Sequence, residues 1–417
     1  MRQWMVAAKK ADFYAIAEKF HVDPVVARII RNREVIGEKN IRIYLGGNLS
    51  DLSDPHQMKD MDRLVEILAQ KIRKQAHIRI IGDYDVDGVT SSHLFLTALR
   101  RVGAKVDVVI PHRIQDGYGL SLHLLQQAKE DGVDTILTCD NGIAAIDEIA
   151  WAKAQKMTVL VTDHHAVPFE EHEGRRTEKK SLADAVVNPH QQDCGYPYKE
   201  LCGAGVAWNV IRVLYENYDM DKREAEDLLD FVAMATVCDV MSLTGENRIL
   251  VKEGLKRIRH TKNIGLQALM QACNVQPENI SAYHFGYVLG PCVNATGRLD
   301  TARHALRLFE TGQETEAEEI ARDLVDLNQE RKELTLQGVE MAKKLCEEGG
   351  YENDPVLVLF LPDVHESIAG LIAGRIREMY NRPVFVLTRG EEGVKGSGRS
   401  TENYSMYENM CGCAELF

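Results

Sequence analysis

The stretch HIRIIGDYDVDG at residues 77–88 decides how the chain is interpreted. Its first half, His77–Ile81, is a short run rich in isoleucine, which predicts a buried strand. Its second half places Asp83, Asp85 and Asp87 directly after that strand. In an open parallel sheet, ligands bind beyond the carboxyl ends of the strands. The stretch therefore predicts a strand that delivers carboxylates to a binding site.

The same alternation of strand and helix continues through the first half of the chain. Further short apolar runs lie at Val106–Ile110, Thr135–Thr138, Thr158–Val161 and Ala185–Val187. Helical patterns lie between them at Val89–Val102, around Leu122–Lys129 and near Ala144–Gln155. Runs of β-branched residues alternating with helices indicate βαβ units and a parallel sheet. The charged segment Glu170–Ser181 is predicted to be a surface loop.

The second half of the chain is predicted to be helical before it returns to an α/β pattern. Asp230–Cys238 is apolar nearly all round, which predicts a buried helix. Ala302–Glu348 is rich in Ala, Leu, Glu and Lys, so we expect long helices, the later part of which connects two domains. A second α/β unit begins at Pro355–Leu361. We expect an N-terminal segment at 1–50, a catalytic domain at 51–305, a helical connector at 306–350 and an incomplete second domain at 351–417.

Composition limits the function. Of the 417 residues, 45% are hydrophobic and 27% are charged, as in an ordinary globular protein. No apolar run approaches the ~20 residues of a membrane span. The first residues lack the apolar stretch of a signal peptide, so a cytoplasmic location is predicted. Nine scattered cysteines without a Cys-x-x-Cys pair argue against a disulfide framework. The net charge of −13 argues against a broad basic surface that grips DNA.

Residues able to bind metal follow three of the predicted strands. The aspartates of residues 82–88 are joined by Asp140 in CDNG and by Asp163, His164 and His165 in TDHH. Carboxylates with one imidazole suit Mn²⁺ or Mg²⁺. Several carboxylates can bridge two such ions ~3.5–4 Å apart, which activate water and clamp a phosphate. Asp239, directly after the predicted buried helix, is the candidate for a further acidic ligand.

Each motif taken singly has a simpler interpretation. Asp-x-Asp-x-Asp-Gly could be a calcium loop, but Leu94 stands where an EF-hand needs its glutamate. The Asp140-Asn-Gly sequence is most often a turn. The Asp163-His-His sequence could be a helix cap with surface histidines. The convergence of all of them at successive strand ends favours a metal centre and metal-dependent phosphodiester hydrolysis.

These motifs resemble those of the DHH phosphoesterases. GDYDVDG at 82–88, TCDNG at 138–142, TDHH at 162–165 and TVCDV at 236–240 are similar to the family's four metal motifs. Within the family, the chain resembles the RecJ-type exonucleases. That likeness is carried by PHRIQDGYGL at 111–120, NPHQQDCGYPYKELCGAG at 188–205, GPCVNATGRLD at 290–300, LNQERK at 327–332 and VKGSGRS at 394–400.

The resemblance implies a role for each matching residue. It implies a two-metal site of Mn²⁺ or Mg²⁺ with Asp140 as the bridge; the ligands would be Asp83, Asp85, Asp87, Asp140, His164 and Asp239. It places His165 beside the scissile phosphate, with Asp163 orienting the histidines. It implies strand or phosphate contacts by Arg113, Asn294, Arg298, His365, Arg399 and Ser400. For Arg298, an ordinary surface ion pair is the alternative.

The implied fold and activity follow the same family. A parallel-sheet DHH domain would be joined by a long helix to a smaller α/β DHH-associated domain that holds the strand. The implied activity is 5′-to-3′ exonuclease action on single-stranded DNA in recombination and repair, with a single-strand-binding protein as partner. The alternatives are a phosphodiesterase acting on short oligonucleotides or cyclic dinucleotides, a replication scaffold, and an inactive fragment.

The sequence departs from the family pattern in two places. Cys292 stands where many relatives have an arginine, which puts one phosphate or structural contact in doubt. The chain ends at Phe417, before the family's Gly-Gly-His motif and OB-fold domain. We therefore expect a shortened chain that binds and processes strands more weakly than its relatives.

Two cysteines stand beside proposed ligands. Cys139 precedes Asp140 and Cys238 precedes Asp239. One interpretation is small buried side chains that pack behind the site. The other is a mild sensitivity of the activity to oxidation or to thiophilic metals.

Overall fold

Five parallel strands form the central sheet of the first structural unit. The computed structural model describes residues 5, 9–172, 175–299, 301–351, 354–390 and 393–413. Contacts divide the chain into two units, Met1–Asn294 with Ala302–Ala321, and Ala295–Thr301 with Arg322–Phe417. The strands of the first unit are β1 (Ile78–Ile81), β2 (Val106–Val109), β3 (Thr135–Cys139), β4 (Thr158–Thr162), β5 (Phe169–His172), β6 (Arg175–Glu178) and β7 (Ala185–Val187).

The sheet has the order β2-β1-β3-β4-β7, and every neighbouring pair is parallel. This confirms the predicted α/β class with a parallel central sheet. Because β1 is buried along its whole length, its isoleucines form part of the core. The carboxyl ends of β1, β3 and β4 therefore lie side by side at one edge, as the sequence pattern predicted.

Helices surround this sheet and continue the chain beyond it. Up to residue 154 they are α1 (Phe13–Phe20), α2 (Pro24–Asn32), α3 (Glu38–Gly46), α4 (Met61–Arg73), α5 (Val86–Arg101), α6 (Leu122–Glu130) and α7 (Ile146–Ala154). They are followed by α8 (Gly203–Asn217), α9 (Lys222–Glu226), α10 (Leu229–Cys238), α11 (Gly245–Arg257), α12 (Ile264–Ala272), α13 (Ala282–His284), α14 (Gly290–Leu299), α15 (Arg303–Glu310) and α16 (Glu314–Gly349). The buried helix predicted at Asp230–Cys238 is α10, whose residues Leu229–Thr236 are buried.

Helix α5 begins three residues earlier than the apolar pattern predicted. The side chain of Asp85 caps it, since its Oδ1 accepts a hydrogen bond from the Gly88 N–H at 3.0 Å. Asp87 and Gly88 therefore lie in the first turn of a helix that packs against α8 and α10. The metal motif is thus part strand end and part helix start.

The predicted surface loop at Glu170–Ser181 is wrong in its local structure. Strands β5 and β6 pair there as an antiparallel two-stranded ribbon, with Phe169 opposite Glu178 and Glu170 opposite Thr177. Phe169, Glu170 and Thr177 are all exposed, so neither face of the ribbon packs on the core there. A strand solvated on both faces lacks the alternation of apolar and polar residues from which a strand is predicted.

The second unit is a smaller α/β layer. Its strands and helices are β8 (Leu357–Phe360), α17 (Ala369–Tyr380), β9 (Val384–Gly390), β10 (Gly393–Arg399) and α18 (Met406–Cys411). Strand β9 lies in the middle, parallel to β8 and antiparallel to β10. Leu357, Val384 and Ile372 join in one buried cluster that also includes Val339 of α16. Within the described ranges, no helix is both long and apolar enough to cross a bilayer.

Candidate metal centre

Carboxylates and one histidine gather at the carboxyl edge of the central sheet. Asp83, Asp85 and Asp140 offer oxygens that all lie within 4.8 Å of one another. A second group of the same compactness joins ligand atoms of Asp87, His164 and Asp239, and a third joins those of Asp140, His164 and His165. All six predicted ligands are thus brought into two adjoining groups, although they come from positions 83 to 239 of the chain.

Asp140 is the residue through which the two groups touch. Its Oδ1 lies 3.0 Å from Nε2 of His164. The same nitrogen lies 3.7 Å from Oδ2 of Asp87 and 3.7 Å from Oδ2 of Asp239. Despite the short distance to His164, Oδ1 of Asp140 is buried without a hydrogen-bond partner. These atoms face one another as ligands around a cation do.

The backbone at Asp140 is unusual in a way that serves this position. Its φ is +62°, in the left-handed region, which Asp and Asn tolerate better than other non-glycine residues. The neighbouring Asn141 fixes the turn, since its side-chain amide donates to the carbonyl oxygens of Ile81 at 3.0 Å and Cys139 at 2.9 Å. The Asp-Asn-Gly motif is therefore a turn, and the turn carries the central carboxylate.

The amino terminus of α8 holds Asp87. The N–H groups of Gly203 and Ala204 donate to its two carboxylate oxygens at 2.6 and 2.8 Å. The start of a helix attracts negative charge, so this contact compensates part of the charge of the buried carboxylate. A Cβ atom on Gly203 would lie 2.7 Å from Cβ of Asp140, so only glycine lets α8 approach the cluster this closely.

The carboxylates of the cluster are strained by mutual repulsion. Burial and the charge of Asp85 raise the pKa of Asp83 to about 8. Burial and the charges of Asp87 and Asp85 raise the pKa of Asp239 to about 8 as well. Burial and its acidic neighbours also raise the pKa of Asp140 well above its ordinary value.

This electrostatic state fits divalent cations. Buried carboxylates need compensating charge, and Oδ1 of both Asp83 and Asp140 is buried with no hydrogen-bond partner. Oxygen ligands with one imidazole nitrogen suit Mn²⁺ and Mg²⁺. The residues at this edge therefore match two hard cations in donor type and placement.

Asp163 lies behind the histidines and hydrogen-bonds them. Its Oδ1 accepts from Nδ1 of His165 at 2.8 Å and from the backbone N–H of His164 at 2.7 Å. Its Oδ2 accepts from the N–H of Ile143 at 2.9 Å. Burial alone would lower the pKa of His165, but the hydrogen bond and charge of Asp163 raise it overall. Burial would likewise raise the pKa of Asp163, and its bonds to His165 lower it overall.

An aromatic side chain closes the site beside His165. The hydroxyl of Tyr118 donates to the carbonyl oxygen of Asp140 at 3.0 Å and lies 3.2 Å from Nε2 of His165. Its ring meets Tyr84 edge-on, and the guanidinium of Arg113 lies over the Tyr84 ring at 4.7 Å. Arg113, a predicted substrate contact, is thus linked to the metal centre through two tyrosines. A cavity of about 220 Å³ opens here, and its lining includes Tyr118, Asp163 and His165.

The side chain of Asn294 supports the metal motif by binding the backbone of that motif. Its Oδ1 accepts a hydrogen bond from the N–H of Val86 at 3.1 Å. Val86 stands between Asp85 and Asp87, so this bond fixes the start of α5. Contact between Asn294 and a nucleic-acid strand remains a prediction.

The other residues predicted to contact a nucleic-acid strand lie in the second unit. Arg298 donates from Nη1 to the carbonyl oxygen of Ser367 at 2.6 Å, and Nδ1 of His365 lies 2.6 Å from Oγ of the same serine. Arg399 donates to the carbonyl oxygen of Gly398 at 2.7 Å, while Ser400 accepts from the N–H of Met406 at 3.0 Å. Arg298 and His365 therefore meet at Ser367, and the roles of all four in binding stay predictions.

The two cysteines beside the ligands have the features of packing residues. Burial raises the pKa of the Cys139 thiol to about 12, and its Sγ lies 3.4 Å from Oγ of Ser92. Burial also raises the pKa of Cys238, whose thiol donates to the carbonyl oxygen of Phe285 at 3.3 Å. Because the thiolate is the form that reacts with oxidants, both positions are poor targets.

The sequence pattern assigned no individual role to Tyr118, Gly203 or Asn188. Asn188 donates from its side-chain amide to the carbonyl oxygen of His165 at 2.9 Å, which helps to fix the histidine loop. These residues lie in GYGL, CGAG and NPH, stretches that carry the family resemblance. Their roles depend on contacts between segments far apart in the chain, which no local pattern reveals.

Comparison with known proteins places the chain in a family. Residues 77–236 match the DHH family, N-terminal domain. The single-stranded-DNA-specific exonuclease RecJ of Haemophilus influenzae is 36% identical over 397 residues, which cover 92% of this chain and 67% of that protein. The chain belongs to the RecJ family. The RecJ of Bacillus subtilis is 32% identical over 404 residues, covering 96% of this chain and 49% of that protein.

Solved RecJ structures agree with this assignment and with a divalent metal cofactor. A crystal structure of exonuclease RecJ bound to manganese is 32% identical, with a TM-score of 0.73 and coverage of 85% of both chains. The Thermus thermophilus RecJ in complex with Mn²⁺ has a TM-score of 0.79 at 29% identity, over 97% of this chain and 56% of that one. RecJ chains thus bind the kind of ion that the carboxylate cluster fits. The chain spans about two thirds of the length of the Haemophilus influenzae relative and about half that of the Bacillus subtilis relative.

Proposed function

We propose that this chain is a two-metal phosphodiesterase that degrades single-stranded DNA as an exonuclease, from the 5′ end. The proposal rests above all on Asp140. The Asp140 carboxylate belongs to the group that it forms with Asp83 and Asp85. It also lies 3.0 Å from Nε2 of His164, which belongs to the other group. A carboxylate between two ligand groups is what a bridged pair of cations requires.

The protein residues would divide the work as follows. Asp83, Asp85 and Asp140 would hold one cation, and Asp87, His164 and Asp239 the other, with Asp140 shared because it also lies beside His164. When bound, the pair would supply an activated water and charge neutralisation at the phosphate. The α8 amino terminus keeps Asp87 in position, and the turn at Asp140 keeps the shared carboxylate in position.

His165 would act on the phosphate rather than on a cation. Its ring is partly exposed, and its Nδ1 is committed to Asp163 at 2.8 Å. Because its pKa is raised, the imidazole retains a proton at higher pH than an ordinary histidine. A protonated imidazole beside the scissile phosphate would stabilise the negative charge that develops in the transition state.

The substrate and the polarity come from the family. Several relatives that the chain resembles are named as single-stranded-DNA-specific exonucleases. We extend that substrate to this chain, together with the 5′-to-3′ direction and the role in recombination and repair implied by the resemblance. A single-strand-binding protein as partner and a cytoplasmic location belong to the same proposal.

The test is degradation of single-stranded DNA labelled at either end, with Mn²⁺ present, by this chain and by Asp140→Ala. Release of labelled mononucleotide from 5′-labelled DNA, with none from the variant, is the expected result. A matched control is Asp147→Ala, since Asp147 is an exposed aspartate of α7 outside the cluster.

Two other outcomes would favour the alternatives. Hydrolysis of di- to tetranucleotides without any attack on long strands would favour a phosphodiesterase of short substrates. No hydrolysis of either substrate, with Mn²⁺ still raising the melting temperature, would favour an inactive fragment that retains its metal site.

A further inference from the structure

Two thiols lie in contact outside the metal centre. Cys273 directly follows α12, and Cys292 lies in the first turn of α14. Their Sγ atoms are 3.8 Å apart, although 19 residues separate them in the chain. Cys292 is buried, while Cys273 is partly exposed. Cys273 is therefore the less buried residue of the pair, and its sulfur is in contact with that of Cys292.

We propose that Cys273 and Cys292 are an oxidation site, at which a peroxide forms a disulfide that alters the metal centre. In the first step the Cys273 sulfur attacks hydrogen peroxide, giving a sulfenic acid and one water. In the second step the Cys292 sulfur displaces the hydroxyl of that sulfenic acid, giving the disulfide and a second water. Two thiols are oxidised and one peroxide is reduced, so the reaction balances.

Other cysteines face different partners. Cys139 faces the hydroxyl of Ser92, and Cys238 donates to a backbone carbonyl. Cys202 lies 3.4 Å from the hydroxyl of Thr236. In the Cys273–Cys292 pair, by contrast, thiol faces thiol, which is the arrangement that lets a sulfenic acid be captured.

Closing the bond requires a shift of the protein. A disulfide is about 2.05 Å long, so the two sulfur atoms must approach each other by roughly 1.8 Å from their present 3.8 Å. The Cys292 thiol must also give up its hydrogen bond to the carbonyl oxygen of Val288, which is now 3.2 Å away. We expect α14 to move, because Cys292 is part of its first turn.

The start of α14 is connected to the metal motif. Asn294, two residues beyond Cys292, accepts the hydrogen bond from the N–H of Val86. Val86 lies between two predicted ligands, Asp85 and Asp87. A shift at Cys292 can therefore be transmitted to Asp85 and Asp87 through the hydrogen bond between Asn294 and Val86. Oxidation should weaken Mn²⁺ binding by up to about 10-fold, the lower end of the effect of losing a partner outside the ligand set.

The experiment treats the full chain with hydrogen peroxide and measures two quantities, the cross-link and the stabilisation by Mn²⁺. Peptide mapping without reductant should find a cross-link between the peptides of Cys273 and Cys292, two hydrogens lighter than the reduced pair. The rise in melting temperature on adding Mn²⁺ should become smaller and should recover after treatment with dithiothreitol. Cys273→Ser and Cys292→Ser should lose both effects, and Cys411→Ser, an exposed cysteine, should keep both.

Only an effect of oxidation on DNA cleavage depends on the proposed function. The cross-link and the change in Mn²⁺ binding are measured independently of it. Peroxide treatment that leaves no cross-link between the two peptides overturns the proposal. A cross-link that leaves the effect of Mn²⁺ on melting unchanged overturns the connection to the metal centre. A reduced chain that binds Mn²⁺ but cuts no DNA would count against the proposed function, while the cross-link and melting results would still decide the oxidation site.

Discussion

Nδ1 of His165 lies 2.8 Å from Oδ1 of Asp163, and the same carboxylate oxygen accepts the backbone N–H groups of both His164 and His165. One buried carboxylate therefore fixes the histidine pair at its backbone and at one of its two rings. It also raises the pKa of His165. The sequence predicted that Asp163 orients the histidines, and its contacts are compatible with that role.

Replacing Asp163 by Asn should impair both the geometry and the proton affinity of His165. We expect a rate of phosphodiester hydrolysis about 10- to 100-fold lower, as for other residues that orient groups of a metal site. The pKa of His165 should fall, since it loses the charge that raises it. If the protonated imidazole is the active form, activity will then be lost at lower pH than in the unchanged chain. A pH–rate profile checks this, with Asp147→Asn as the control; an unchanged profile would contradict it.

Mn²⁺ should stabilise the chain more at high pH than at low pH. Asp83 and Asp239 have pKa values raised to about 8 from 3.8, so the folded, metal-free chain holds more protons than the unfolded chain between these values. Its free energy of unfolding therefore falls as the pH rises through this window. Bound cations replace the protons and relieve the repulsion. Melting temperatures with Mn²⁺ and with a chelator at about pH 5 and about pH 8 test this.

The same measurement has a clear control and a clear contradiction. Asp140→Ala removes the carboxylate shared by the two groups and should lose most of the Mn²⁺ effect at both pH values. A stabilisation by Mn²⁺ that is equal at the two pH values would mean that the carboxylates do not release protons on metal binding.

Replacing Gly203 by Ala should damage the metal centre through packing alone. The new Cβ would lie 2.7 Å from Cβ and 2.8 Å from Oδ1 of Asp140, so α8 or the Asp140 turn must move. We expect a loss of about 1–3 kcal/mol in the free energy of unfolding, together with weaker Mn²⁺ binding. Gly46→Ala is the control, because a Cβ there meets nothing within 4 Å. Denaturant titration and Mn²⁺ titration measure the two effects; normal Mn²⁺ affinity in the variant would refute the close approach.

Replacing Tyr118 by Phe should remove a hydroxyl and keep the ring. The lost bonds are those to the carbonyl oxygen of Asp140 at 3.0 Å and to His165 at 3.2 Å. A net hydrogen bond contributes about 0.5–1.5 kcal/mol, so the rate should fall roughly 2- to 10-fold. Tyr14→Phe, at an exposed tyrosine of α1, should have no effect. Steady-state hydrolysis assays would reveal the difference, and equal rates for both variants would exclude a role for the hydroxyl.

The sequence predicted the parts of the fold that depend on local pattern. Runs such as Thr135–Thr138 and Thr158–Val161 lie almost wholly buried in a parallel sheet, so they are rich in β-branched and apolar residues and easy to detect. The carboxyl ends of parallel strands meet at one edge of a sheet. For this reason the sequence alone was enough to group Asp83, Asp140 and His164 in one site.

Contacts between distant segments were beyond the reach of such patterns. The backbone N–H groups of Gly203 and Ala204 bind Asp87, which lies 116 and 117 residues away in the chain. No sequence pattern near either partner indicates these hydrogen bonds. The ribbon of β5 and β6 was missed for a different reason. Because Phe169, Glu170 and Thr177 are exposed, its strands carry no apolar alternation that could distinguish them from a loop.

The crowding of carboxylates around Asp140 has a consequence for the life of the protein in a cell. A chain that folds against its own repulsion depends on a supply of cations, since binding to the folded state alone adds to stability in proportion to the logarithm of the metal concentration. When manganese and magnesium are scarce, a larger fraction of the molecules will be open at any moment and exposed to proteases. The supply of manganese and magnesium would then determine the amount of this protein as well as its rate of hydrolysis.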